Sequence, residues 1–76
     1  ASCEVPDKLL ALLKQLAERH GVPTNEGMEI GVRLTQNELA ALIGSCREAV
    51  SRGLKSLRER GLIRVRAHTI TLLASA

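Results

Sequence analysis

Behind Pro6-Asp7, the apolar residues Leu9, Leu10, Leu12, Leu13, Leu16 and Ala17 recur at helical spacing, with Lys8, Lys14, Gln15, Glu18 and Arg19 on the other face. This predicts an amphipathic helix. Pro suits a first turn and an early Asp suits the positive end of the helix dipole. Gly21 and Pro23 close the helix. Gly21 to Gly27 is turn-rich and reads as a loop. From Met28 to Leu34 the period drops to two, with Met28, Ile30, Val32 and Leu34 on one face and Glu29, Gly31 and Arg33 on the other. That alternation predicts a short strand half buried against the helices, with Gly31 weakening it or marking a bulge.

Thr35-Gln36-Asn37-Glu38 has the form of a capping box, in which hydroxyl and carboxylate each accept from the other residue's backbone N–H. The helix it opens is expected to bury Leu39, Leu42 and Ile43 and to stop at Gly44. Ser45 or Cys46 caps the next helix, Arg47 to Arg60, which Gly61 ends. Four-residue steps put Ala49, Val50, Gly53, Leu54 and Leu57 toward the core, and Arg47, Glu48, Ser51, Arg52 and Lys55 outward. Gly53 costs about 1 kcal/mol of helix propensity relative to Ala. It either admits another backbone closely or leaves the core smaller. Leu62 to Arg66 and Thr69 to Leu73 are β-rich runs, and the tight link at Ala67-His68 makes them a hairpin. Arg64 and Arg66 share the face opposite Ile63 and Val65. The order helix, strand, helix, helix, strand, strand is α+β. It describes a small winged helix-turn-helix of three helices, a C-terminal hairpin wing and a short extra strand.

Composition narrows the function. Seventy-six residues without Phe, Tyr or Trp make one small domain whose core is aliphatic. A drug-sized pocket is hard to fit beside such a core. The net charge of +3 is unevenly spread: residues 1–43 carry four Lys/Arg against six Asp/Glu, residues 44–76 seven against two. A one-sided positive field attracts polyanions. Taken alone it is equally a solvated charged face, but here it coincides with the helix-turn-helix, which favours nucleic acid.

Other chemistry is thin. Cys3 and Cys46 fit neither a zinc site nor a disulfide scaffold, and His20 and His68 are isolated in sequence. No metal or cofactor is expected. No nucleophile–base pair, paired carboxylates or phosphate-cradling glycine loop suggests an enzyme. The absence of a long apolar run or signal-peptide pattern leads us to expect a cytoplasmic chain without a membrane partner.

The exposed residues of the 47–60 helix suit base reading. Arg donates two parallel hydrogen bonds to O6 and N7 of guanine, and Glu accepts from the amino group of cytosine. Arg47, Glu48 and Arg52 can thus read a core containing G·C pairs, and Ser51 can touch a base or a phosphate. Thr35, Lys55, Arg64 and Arg66 fit phosphate contacts that fix register. A simpler role for Glu48 and Arg52 is a surface pair at i,i+4 worth about 0.3–0.5 kcal/mol. The two roles are compatible, since the pair can hold Arg52 straight without DNA.

At these residues the chain resembles the Crp/Fnr superfamily, the catabolite-activator and fumarate-nitrate-regulator type of bacterial transcription factors. The similar features are Leu34-Thr35-Gln36-Asn37-Glu38-Leu39 and Ile43-Gly44, then Arg47-Glu48, Val50, Arg52, Leu54-Lys55 and Leu57. Gly27-Met28-Glu29-Ile30, Gly61-Leu62-Ile63 and His68-Thr69-Ile70 extend the likeness from about Val5 to Leu73. The resemblance implies a sequence-specific domain binding double-stranded DNA. Residues matching Arg47, Glu48 and Arg52 read a TGTGA-like half-site in the family. The Fnr branch uses Glu, Ser and Arg at the positions of Glu48, Ser51 and Arg52 for a TTGAT-like one. Both sets are present, so a shared TGA core is expected. The resemblance also implies a homodimer formed through a long helix and an N-terminal small-molecule-sensing domain. Both lie outside these residues, so the chain is expected to be the C-terminal part of a longer regulator. Two departures stand out. Ser45-Cys46 places a thiol at the family's phosphate-contacting cap, so the resemblance makes Cys46 a candidate DNA-backbone contact; beside Arg47 it is also a candidate for redox sensitivity, although an ordinary helix-start thiol is the commoner case. Gly53 replaces a bulky apolar residue. The competing reading is a winged helix used for contact with RNA polymerase or a partner subunit through the loop Val22 to Gly27. A plain connector is the simpler account of that loop.

Overall fold

Pro6 and Asp7 at the start, with Arg19 and His20 in the last turn, frame helix α1, Val5–His20. Leu9, Leu13 and Ala17, each one turn apart, form its buried stripe. The computed structural model describes residues 4–74. Cys3, read above as joining neither a metal nor a disulfide, lies outside them. Gly21 leaves the helix in extended conformation, because a strand begins there at once.

The segment read as a loop is a hairpin. β1 (Gly21–Pro23) pairs antiparallel with β2 (Gly27–Ile30), with Val22 opposite Glu29. Thr24 makes the turn: its backbone N–H and its hydroxyl both donate to the Gly27 carbonyl. The same hydroxyl oxygen accepts from the backbone N–H groups of Glu26 and Gly27. A three-residue strand containing Gly and Pro carries too little side-chain pattern to be read from periodicity. β2 in turn stops at Ile30, short of the expected Leu34. The Gly31 N–H donates to the His20 carbonyl at 2.9 Å, which turns the chain back to the end of α1. Val32 and Leu34 still pack against the core, from irregular backbone.

α2 (Gln36–Ile43) opens with the complete capping box between Thr35 and Glu38. It ends at Gly44, whose left-handed conformation (φ 69°, ψ 42°) suits glycine. Leu42 departs from expectation: it is 59% exposed. Leu39, Ala40 and Ile43 set the inward direction, and Leu42 stands about 100° round from Ile43. α3 (Arg47–Glu59) buries Val50, Gly53, Leu54 and Leu57, and leaves Ala49 half buried. It ends one residue before Arg60, which forms the C-cap.

Gly53 is a contact point. A Cβ there would stand 2.6 Å from Cδ1 of Leu9 and 3.2 Å from Cγ1 of Val5. The missing side chain lets the first turns of α1 settle directly onto α3. The space beside this glycine is filled first by side chains of α1, with the Pro6 backbone nitrogen next at 3.6 Å, so the core is closed here rather than left smaller.

β3 (Ile63–Arg66) and β4 (Thr69–Leu73) form the wing. Ala67 and His68 link them, both at positive φ (45° and 69°), as a two-residue turn matching strand twist requires. β4 also pairs with β2, giving one antiparallel sheet in the order β1-β2-β4-β3. The fold is α+β, three helices against a four-stranded sheet. Leu9, Leu13, Ile30, Leu39, Val50 and Leu57 are its most buried residues.

Candidate nucleic-acid interface

The turn at Gly44 aims α3. The Ser45 N–H donates to the Ala40 carbonyl, and Cys46 sits extended at the N-cap (φ −104°, ψ 161°). Its exposed thiol makes no capping hydrogen bond. The first N–H groups of α3 therefore have no side-chain acceptor at the cap, and the positive end of the helix faces outward.

Beyond that cap, Arg47, Glu48, Ser51, Arg52 and Lys55 are all exposed, on the side of α3 away from Val50, Gly53, Leu54 and Leu57. The structure thus gathers the four residues read as base-contacting within two turns of one helix. Among the described residues the ion pair is Arg64 with Glu26, so the i,i+4 pair that is the simpler role for Glu48 and Arg52 is not closed. Their hydrogen-bonding groups are left to solvent or to a ligand.

The residues read as backbone-contacting surround this helix less evenly. Thr35 is exposed and already committed to its capping box: the Glu38 N–H donates to its hydroxyl at 3.1 Å, and its own N–H donates to the Glu38 carboxylate at 2.9 Å. That backbone donation first, and the Thr35 side chain second, hold the Glu38 carboxyl below the usual glutamate range. Arg66 is exposed near the wing tip. Arg64, farther down β3, is held by the carboxylate of Glu26 from the β1–β2 turn, and each side chain is 43% exposed. A phosphate reaching Arg64 has to compete with that carboxylate.

One feature was not readable from the sequence. Thr35, Gln36, Asn37, Arg47 and His68 line a cleft of about 350 Å³. His68, isolated in sequence, comes by way of the wing to the start of α2 and the first residue of α3. Gln36 and Asn37 join it as amide donors. No local pattern encodes this meeting of a hairpin tip with two helix starts. The one available hint was the tight turn that puts His68 at the tip. The cleft offers hydrogen-bond donors and a guanidinium, the groups that bind phosphate oxygens. Among the described residues no three His, Cys, Asp or Glu side chains gather into a metal site. No described helix is long and apolar enough to cross a membrane.

Comparison with known proteins agrees with this geometry. The family described as the Crp-like helix-turn-helix domain matches residues 7–75. The chain is 33% identical, over 91% of its length, to a CRP-like cAMP-activated global transcriptional regulator of Mycobacterium tuberculosis, and covers 31% of that protein. It is 32% identical, over 99% of its length, to the cAMP-activated global transcriptional regulator Vfr of Pseudomonas aeruginosa, covering 35% of it. The chain therefore spans about a third of the length of these relatives. Among solved structures, a CRP-family transcriptional regulator of Thermus thermophilus superposes with a TM-score of 0.81 at 27% identity, over 95% of this chain and 36% of that one. The c-di-GMP responsive global regulator CLP of Xanthomonas campestris gives 0.78 at 30% identity, over 95% of this chain and 34% of that one.

Proposed function

The chain belongs to the Crp-like helix-turn-helix family of transcription-regulator DNA-binding domains, and from that premise we propose that α3 reads a TGTGA/TTGA-like half-site in the major groove. The observation that carries this reading is the common exposure of Arg47, Glu48, Ser51 and Arg52 on the N-terminal half of α3, opposite its buried face. Arg47 and Arg52 donate to guanine, Glu48 accepts from cytosine, and Ser51 contacts a base or a nearby phosphate. Thr35, Lys55 and Arg66 hold the flanking phosphates, with the α3 start at Cys46 presenting its N–H groups. His68, Gln36 and Asn37 add the cleft beside Arg47. Arg64 joins only if a phosphate displaces Glu26.

The reading extends to the protein around this domain. Relatives about three times as long support a longer regulator in which this chain is the DNA-binding part, and a regulator that acts on bacterial DNA works in the cytoplasm. A homodimer made through a segment outside these residues would present two copies of α3 to a palindrome. The matched relatives are transcription regulators, which supports a binding rather than a catalytic role. A second surface is the candidate for contact with RNA polymerase or a partner subunit: Val22 is 52% exposed beside a turn closed by hydrogen bonds of Thr24.

Binding-site selection from random duplex DNA, using a dimerised form of the chain, tests the main reading. It should enrich palindromes with TGA cores whose half-sites lie about 10 base pairs apart. Recovery of unpatterned sequence would contradict it.

A further inference from the structure

We propose that Arg58 is a further DNA-binding residue, contacting the phosphodiester backbone at the rim of the groove beyond the bases that α3 reads. The inference rests on the DNA-binding reading above and extends its footprint to a residue that reading leaves out.

Three observations on α3 converge. The first is direction. With about 100° per residue, Arg58 lies about 20° round the helix from Arg47, in the row Arg47, Ser51, Lys55, Arg58. Arg58 is exposed, like the other three. The second is reach. Arg47 to Arg52 occupy about 7.5 Å of helix axis, which fits inside a major groove about 12 Å wide. Lys55 stands about 12 Å and Arg58 about 16.5 Å from Arg47 along the axis, at and past the groove edge where phosphates replace base edges.

The third is charge. Within α3 the neighbours of Arg58 one turn away are Leu54 and Lys55, with no acid between them, and the helix ends at Glu59. Lys55 has Glu59 one turn on, whereas Arg58 has only another cation beside it. Like charges at this spacing oppose helix formation until a counter-charge arrives. The ordinary use of a cation in a last turn is to satisfy the negative end of the helix dipole. Arg58 is the basic residue of that last turn and Arg60 forms the C-cap just beyond it, so both stand near the same end, but on helical spacing Arg60 lies about 140° from Lys55. Arg58 differs from Arg60 in facing the side presented to DNA.

The test compares three chains, wild type, Arg58→Gln and Arg60→Gln, each confirmed folded by circular dichroism. Their affinity is measured across salt concentrations on a duplex carrying a TGTGA palindrome and on a scrambled duplex. A lost phosphate contact lowers the slope of log K against log salt by about 0.9. Arg58→Gln should show that loss on both duplexes with the preference between them intact, and Arg60→Gln should keep the wild-type slope. An unchanged slope for Arg58→Gln overturns the proposal, as does an equal loss for Arg60→Gln. A wild type that binds both duplexes alike would contradict base reading, and the slope comparison would still decide the role of Arg58.

Discussion

Thr35 carries two loads on one side chain and one N–H. It closes the capping box that starts α2, and it lies in the cleft proposed for phosphate. Thr35→Ala should cost about 1 kcal/mol of stability, read as a lower melting temperature. Its partner adds a pH dependence. The Glu38 carboxyl is held below its ordinary range in the folded chain by its bonds to Thr35. Its contribution to stability is therefore complete above the ordinary glutamate titration and is lost as pH falls toward the lowered folded value. Glu38→Gln keeps an acceptor oxygen but cannot titrate, so its stability should fall less steeply with acid than that of wild type. Equal acid sensitivity in melts across pH would remove the argument. This box was legible because it is local: four consecutive residues specify it. Leu42 was not, because its exposure depends on where neighbouring elements sit rather than on its own hydrophobicity. The cleft role of His68 was hidden for the same reason.

Among the elements, the helices were legible nearly to the residue, since each carries start and stop chemistry and a periodic apolar face. The wing was legible from its two β-rich runs. The β1–β2 hairpin was not. Its order comes from Thr24 and from pairing with a sheet assembled across the chain, and neither leaves a repeating pattern in three residues. Gly53 shows packing overriding propensity. Alanine there would gain about 1 kcal/mol of helix propensity, but its Cβ would stand 2.6 Å from Cδ1 of Leu9, a fully buried side chain that would have to shift within a packed core. Overpacking of this kind costs about 1–3 kcal/mol. Gly53→Ala should therefore be destabilising on balance, seen as a lower midpoint in urea. A variant at least as stable as wild type would show that α1 yields easily at this contact.

For the molecule as a whole, the sequence carried the fold class and the charge division but not the tertiary meeting of wing and helix starts. The aliphatic core does little beyond holding α3 against α1 and the sheet, with its polar side turned out. Seven Lys/Arg against two Asp/Glu in residues 44–76 give that exposed side its field. On our proposal this side distinguishes base pairs instead of merely attracting phosphate. Equilibrium binding of wild type, Arg52→Ala and Lys55→Ala to a TGTGA-containing duplex and to a scrambled one of equal length separates the two. Arg52→Ala should lose most of the preference between duplexes, about 1–3 kcal/mol for a bidentate contact to guanine. Lys55→Ala should weaken both alike and keep the preference. If Arg52→Ala weakens cognate and scrambled DNA by the same factor, α3 is an electrostatic anchor and the claim that it reads sequence is wrong.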